Sequence, residues 1–132
     1  MIVCLKVFKL KYYKELYSQG VSILEIDMKK IIHNYKVFSN LSRPGIVSAV
    51  VKANAYGCGA EEISKALYKN GCEFFFVAKL EEGIKLREFL PKKVKIGVFD
   101  GIFEKNEAIW NNFNLIPVCN TLDQLKFTLN NN

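Results

Sequence analysis

A single lysine, Lys52, stands at the end of an almost continuous apolar run and is followed at once by small residues, a tyrosine and two glycines. The run covers residues 46–51, and residues 53–59 are Ala-Asn-Ala-Tyr-Gly-Cys-Gly. The β-branched run predicts a buried strand, and the glycines predict a tight turn into a helix. An amine at the mouth of an apolar sheet is poorly solvated, which favours its neutral, nucleophilic form. Such an amine can form a Schiff base with an aldehyde cofactor. The alternative is an ordinary strand-end lysine that extends into water.

The rest of the chain alternates short apolar runs with amphipathic segments. We predict strands at residues 23–26, 46–51, 74–77, 94–99 and 115–118, and helices at residues 28–41, 60–70, 80–90, 104–112 and from 122 onward. Asp27 and Thr121 are placed to cap helices, and Gly71 is placed to end one. Strands that are apolar on both faces and alternate with helices predict a parallel sheet with right-handed crossovers. The pattern fits either a doubly wound sheet or part of a (β/α)8 barrel.

Composition narrows the class of protein. The 132 residues are 50% hydrophobic and 24% charged, which is typical of a folded globular chain. The net charge is +6, but the lysines are spread along the chain, so we predict no nucleic-acid partner. No apolar run approaches the roughly 20 residues of a membrane span. Four cysteines without a CxxC pair and a single histidine predict no metal site and favour a reducing, cytoplasmic location.

The segment from Val50 to Gly57, Val-Val-Lys-Ala-Asn-Ala-Tyr-Gly, resembles the bacterial alanine racemases, which are pyridoxal 5'-phosphate (PLP) enzymes built on a TIM barrel. The resemblance extends over residues 23–129 in the family's order. Its other parts are Leu24-Glu25-Ile26-Asp27, Phe76-Val77-Ala78, Glu81-Glu82-Gly83 with Leu86-Arg87, residues 96–101, and residues 115–121 with Gln124-Leu125. It implies an α/β fold of incomplete (β/α)8-barrel type, holding about the first four β/α units. Residues 23–132 would be the N-terminal half of the PLP-binding barrel, and residues 1–22 an N-terminal extension.

The resemblance also implies roles for two residues. Lys52 corresponds to the lysine that carries PLP covalently and acts as one of two catalytic bases, and Tyr56 corresponds to a tyrosine that binds the cofactor phosphate. Cys58 departs from the family, which usually has histidine there. The implied reaction interconverts L-alanine and D-alanine, which supplies D-alanine for peptidoglycan, in a homodimer. The family's later strands and its β-rich domain supply two arginines, most phosphate contacts and the second base. We therefore expect an N-terminal fragment that needs a second chain carrying the missing half.

Three other functions fit parts of the sequence. One is a related barrel-type PLP decarboxylase, one is a split-gene remnant or a PLP-binding protein without turnover, and one is a basic nucleic-acid-binding protein. The acidic pairs Glu61-Glu62 and Glu81-Glu82 are interpreted as residues that favour helix N-termini, not as catalytic carboxylate couples.

Overall fold

The computed structural model describes residues 24–103 and 107–130. The strands are β1 (Ala49–Val50), β2 (Phe74–Val77), β3 (Lys95–Val98) and β4 (Ile116–Pro117). The helices are α1 (Met28–Leu41), α2 (Lys52–Tyr56), α3 (Ala60–Lys69), α4 (Leu80–Phe89), α5 (Glu107–Phe113) and α6 (Leu122–Asn130). Each strand is followed by helical structure, which after β1 is divided into α2 and α3, so the β/α order agrees with the prediction.

The strand order decides between the two architectures. The sheet is fully parallel, in the order β1-β2-β3-β4, so each strand lies beside the one before it in the chain. A doubly wound sheet reverses its order at a switch point, whereas a barrel adds each strand next to its predecessor. Right-handed crossovers then place the connecting helices on one face of the sheet. The fold is that of an incomplete (β/α)8 barrel.

The register of the strands separates two faces of the sheet. Phe75 pairs with Ile96, and both are fully buried on the helix-covered face. The core on that face also contains apolar side chains of the helices and loops, namely Val51, Ile63, Leu67, Val77, Leu86, Leu90, Val98, Trp110 and Leu115. Phe76 pairs with Gly97 on the opposite face, which is half-covered. Residues of that second face point toward the interior of a closed barrel, because side chains alternate along each strand.

Local signals at three helix ends are confirmed. The Asp27 carboxylate accepts hydrogen bonds from the amides of Lys29 and Lys30 at 3.0 and 3.3 Å and so caps α1. The Thr121 hydroxyl accepts one from the amide of Gln124 at 3.2 Å at the start of α6. Gly71, with φ of 96°, follows α3 where its end was predicted.

Three strand predictions need correction. The strand predicted over 115–118 is reduced to Ile116–Pro117, which pair with Gly97 and Val98 of β3. Residues 24–26 are not in a strand, because no strand of the described chain pairs with them, and Leu24 is 57% exposed. The strand predicted over 46–51 is reduced to two residues, since only Ala49 and Val50 find partners on β2. The predicted extension 1–22, residue 23 and the first residues of the helix predicted from 104 lie outside the described residues.

Candidate active site

Lys52 lies where the chain leaves the sheet. The amide of Val51 donates to the carbonyl of Phe76 at 2.8 Å, which is the last bond between this segment and β2. Lys52 follows at the carboxyl end of the parallel strands, the edge at which barrels carry their chemistry. Its side chain is half-buried, and its Nζ atom lies 5.8 Å from the centre of the Phe99 ring. Among the described residues the amine has no hydrogen-bond partner, and no carboxylate forms an ion pair with it.

The segment after Lys52 is a left-handed turn and not a regular α-helix. Ala53, Asn54, Ala55 and Tyr56 have φ angles of 50°, 53°, 53° and 57°, and Gly57 continues with 83°. The left-handed conformation costs a non-glycine residue about 1–2 kcal/mol. Four such residues in succession persist only because surrounding contacts hold them. The sequence predicts a turn here, but it places the unusual backbone at the glycines and not at the residues before them.

Contacts within the turn fix its course toward α3. The amides of Ala55 and Gly57 donate to the carbonyls of Val51 and Ala53, each at 2.9 Å. The side chain of Asn54 accepts a hydrogen bond from the amide of Ala60 at 2.9 Å and so caps α3 across the turn. The side chain of Ala55 is 1% exposed and packs into the core. These contacts place Lys52 and Tyr56 at opposite ends of one rigid segment.

A further contact comes from a residue that sequence analysis assigned to a helix end. The Glu82 carboxylate accepts a hydrogen bond from the amide of Ala53 at 2.7 Å through Oε1. Its Oε2 accepts from the amides of Ala78 and Lys79 at 2.8 and 3.2 Å. The prediction that Glu82 favours the helix N-terminus is confirmed. The contact with Ala53 was missed, because 29 residues separate the partners and no local pattern reports it.

Tyr56 and Cys58 occupy different environments. Tyr56 is 52% exposed, and its hydroxyl has no partner among the described residues. Cys58 is 8% exposed and packs into the core, with its sulfur 3.9 Å from the carbonyl oxygen of Tyr56. The hydroxyl of Tyr56 is therefore available to a ligand, whereas the Cys58 thiol is turned into the protein.

An aromatic wall lies beside the lysine. The rings of Phe76 and Phe99 stack with centroids 5.2 Å apart and an angle of 8°, and Phe74 lies 4.4 Å from Phe76. Gly97 leaves the space for this arrangement, since a Cβ atom there would overlap the Phe76 ring. The amine of Lys52 thus rests against an apolar surface on the face of the sheet that points to the barrel interior.

A cavity of about 470 Å³ lies behind the turn, on the helix-covered side. Its walls include Val51, Asn54, Glu82 and Leu86, but neither Lys52 nor Tyr56. The cavity is therefore distinct from the place where the two predicted site residues present their functional groups.

Comparison with known proteins gives the family. The family model described as "Alanine racemase, N-terminal domain" matches residues 26–131. The chain belongs to the alanine racemase family. It is 44% identical over 103 residues to the alanine racemase of Rickettsia prowazekii, covering 78% of this chain and 26% of that protein.

Solved alanine racemases have the same fold. The structure from Bartonella henselae, described as having covalently bound pyridoxal phosphate, matches with a TM-score of 0.74 and 38% identity, over 79% of this chain and 29% of that one. The alanine racemase from Pseudomonas aeruginosa matches with a TM-score of 0.70 and 34% identity, over 80% and 29%. The chain thus spans less than a third of the length of these alanine racemases.

The described residues contain neither a membrane-spanning helix nor a cluster of metal ligands. Within residues 24–103 and 107–130, no helix combines the length and apolar character needed to cross a membrane. In the same ranges, histidine, cysteine, aspartate and glutamate side chains form no group of three or more that could hold a metal ion.

Proposed function

We propose that this chain is the N-terminal, PLP-carrying part of an alanine racemase. The observation that carries the proposal is the free amine of Lys52 at the carboxyl end of a parallel barrel strand, in a chain of this family. The Bartonella henselae relative with covalently bound pyridoxal phosphate supports the same cofactor here. The reaction is the interconversion of L-alanine and D-alanine, which supplies D-alanine for peptidoglycan in the cytoplasm.

The residues present fit this cofactor. The Lys52 amine has no acidic partner among the described residues, so it is available for a covalent bond to an aldehyde. The exposed hydroxyl of Tyr56, four residues later, also has no partner among the described residues and is proposed to bind the phosphate group. When bound, PLP supplies an electron sink that stabilises negative charge at the substrate α-carbon.

The chain's own residues then act in three ways. Lys52 would hold the cofactor through its amine, and the same amine would take or return the proton at one face of the substrate α-carbon. Tyr56 holds the phosphate end. The Phe99 ring, which stacks on Phe76, lies on one side of the amine and would limit the access of water from that side.

The remaining parts of the active site are proposed to lie on the rest of the barrel and on a partner subunit. These parts include the base for the other face of the α-carbon and most contacts to the phosphate. They are supplied either by a continuation of this chain or by a second chain, and the assembled enzyme is a homodimer. Within the sequence given, residues 1–22 are proposed as an extension and residues 23–132 as the first part of the barrel domain.

Covalent trapping tests the cofactor site. The full 132-residue chain is incubated with PLP, reduced with borohydride and analysed by peptide mass spectrometry. We expect the pyridoxyl group on Lys52 at low PLP concentration, before the exposed lysines are modified, and its loss from that peptide in Lys52→Met. Lys69→Met, at an exposed lysine of α3, is the control and should leave the label on Lys52. Labelling spread evenly over all lysines would contradict the proposal.

A PLP-binding protein without turnover is a second candidate. It is favoured by the coverage of 26–29% of the relatives' length, since a racemase uses two bases and the described residues are assigned one of them, Lys52. Exchange of the alanine α-proton for deuterium, followed by NMR with PLP and the chain in D2O, separates the two candidates. Exchange that depends on Lys52 and produces D-alanine supports the racemase, whereas labelling of Lys52 without exchange supports binding alone. Release of carbon dioxide would instead indicate the related decarboxylases.

A further inference from the structure

We infer that Glu82 is the positioning residue for Lys52, because its carboxylate ties the left-handed turn that directly follows Lys52 to the start of helix α4. The inference rests on the proposed function, since it assigns Glu82 a role in presenting the amine that carries PLP. Glu82 does not touch the amine. It acts through the backbone next to it.

The amide of Ala53 is the point of attachment. This N–H belongs to the peptide unit that joins Lys52 to Ala53, and its bond to Glu82 Oε1 is 2.7 Å long. A planar peptide unit held at its N–H cannot rotate freely, so the direction in which the Lys52 side chain leaves the backbone is restricted. The bond is also made at the first residue of the left-handed turn.

The other end of the carboxylate is anchored independently. Oε2 accepts hydrogen bonds from the amides of Ala78 and Lys79, which follow β2 and precede α4. Both amides lie at a helix N-terminus, where a carboxylate is electrostatically favoured. One side chain therefore connects the carboxyl end of β2 to the residue after Lys52.

Helix capping alone does not account for this arrangement. A capping carboxylate needs the amides of its own helix end, whereas Ala53 lies 29 residues away in the chain. An ion pair does not account for it either, because no described lysine or arginine nitrogen lies within 4.0 Å of the Glu82 carboxylate. The half-buried Glu82 carboxylate accepts hydrogen bonds from three backbone amides, and the shortest of the three bonds is the one from the amide of Ala53.

Substitution of two adjacent glutamates tests the inference in the full chain. Glu82→Gln preserves size but replaces one acceptor oxygen with an N–H2 group. This donor then faces another donor, either the amide of Ala53 or the amides of Ala78 and Lys79, so at least one hydrogen bond is lost. Glu81→Gln makes the same charge change at the neighbouring exposed position and is the matched control. The readouts are the rate of borohydride-trapped PLP labelling at Lys52, the labelling of the other lysines, and hydrogen exchange of the Ala53 amide by NMR.

We expect Glu82→Gln to slow labelling of Lys52 about tenfold and to speed exchange of the Ala53 amide by a similar factor, the effect of losing one charged hydrogen bond. Labelling of the other lysines should not change, and Glu81→Gln should match the wild-type chain in all readouts. Wild-type rates in Glu82→Gln, or equal slowing in Glu81→Gln, would overturn the inference.

A second variant and a second readout cover the cases in which Glu82→Gln does not fold or the wild-type chain does not label. If Glu82→Gln fails to fold, Glu82→Asp retains the charge at the start of α4 but is one methylene shorter, so it should still slow Lys52 labelling in a folded chain. Normal labelling there would overturn the inference. If the wild-type chain does not label Lys52 preferentially, the proposed function fails, and exchange of the Ala53 amide in the variants then decides the positioning role by itself.

Discussion

The Nζ atom of Lys52 lies 5.8 Å from the centre of the Phe99 ring, although the two residues follow strands that are separated in the sheet by β2. The Phe99 ring in turn stacks on Phe76, which belongs to β2. Side chains from the ends of three neighbouring strands therefore lie together. Among the described residues, the amine has an aromatic contact and no polar partner. Contact of an amine with an aromatic face at this distance is a weak but directional interaction.

Replacement of Phe99 by leucine should make Lys52 more reactive toward PLP, because the aromatic contact stabilises the ammonium, which must lose its proton before it can attack an aldehyde. Leucine keeps an apolar side chain but removes both the ring under the amine and the stack on Phe76. The interaction is worth about 0.5–1 kcal/mol at such a site, so we expect labelling of Lys52 to become about two- to fivefold faster. Phe103→Leu, at a 61% exposed phenylalanine in the following loop, is the control. Equal rates for the Phe99 and Phe103 variants would show that the ring has no role.

Substitutions at two positions of the left-handed turn should change the free energy of unfolding in opposite directions. Ala53 has φ of 50° and an exposed side chain, so Ala53→Gly should relieve strain and raise the free energy of unfolding by up to about 1 kcal/mol. Gly57 has φ of 83° with open space where a Cβ would lie, so Gly57→Ala should lower it by about 1 kcal/mol through backbone strain alone. Urea unfolding of both variants measures the difference. Changes of the same sign would contradict the strain argument.

Features set by neighbours along the chain were predictable, and those set by distant contacts were not. The bounds of α1 follow from Asp27 and from the break at Ser42-Arg43-Pro44-Gly45, and the structure places the helix at Met28–Leu41. Lys52 at the end of an apolar run likewise predicted its place at the sheet edge. Periodicity could not choose between a barrel and a doubly wound sheet, because strand order depends on which strands pair.

The same limit applies within the site. The left-handed backbone of residues 53–56 depends on packing and on Glu82, and neither is encoded in the turn itself. A partial signal existed at Asn54, since asparagine tolerates positive φ better than most residues. Resemblance to the family predicted Lys52 and Tyr56 as site residues, but it did not reveal how the fold holds them.

Arg87 should be among the most important residues for stability. Its buried guanidinium donates to the carbonyls of Phe113, Pro91, Val94 and Asn114 at 2.7–2.9 Å and so joins α4 to the segments before β3 and β4. Desolvation by burial lowers its pKa, and no acidic side chain among the described residues pairs with it. Arg87→Met would remove a charged donor from four carbonyls that are buried or partly buried, so we expect a loss of about 3 kcal/mol or more in unfolding experiments. Lys85→Met, at an exposed position of the same helix, should cost less than about 0.5 kcal/mol. Similar losses in both variants would contradict a special role for Arg87.

The buried thiol of Cys72 predicts that the folded chain loses stability in alkaline solution. Burial raises the pKa of Cys72, which is 0% exposed, and burial also raises the pKa of the neighbouring Tyr35 hydroxyl. Above the ordinary thiol range, about pH 8.5 to 9, the unfolded chain has therefore released a proton that the folded chain still holds. The unfolded state then binds fewer protons, so the free energy of unfolding must fall as pH rises through this range, whereas below it the contribution is fully present.

Urea unfolding at about pH 7.5 and about pH 9.5 should show this fall in the wild-type chain and a smaller one in Cys72→Ala, where Tyr35 still contributes. Cys119→Ala, at a half-buried cysteine beyond β4, should retain the wild-type fall. The same fall in Cys72→Ala as in the wild-type chain would assign the alkaline instability to other groups.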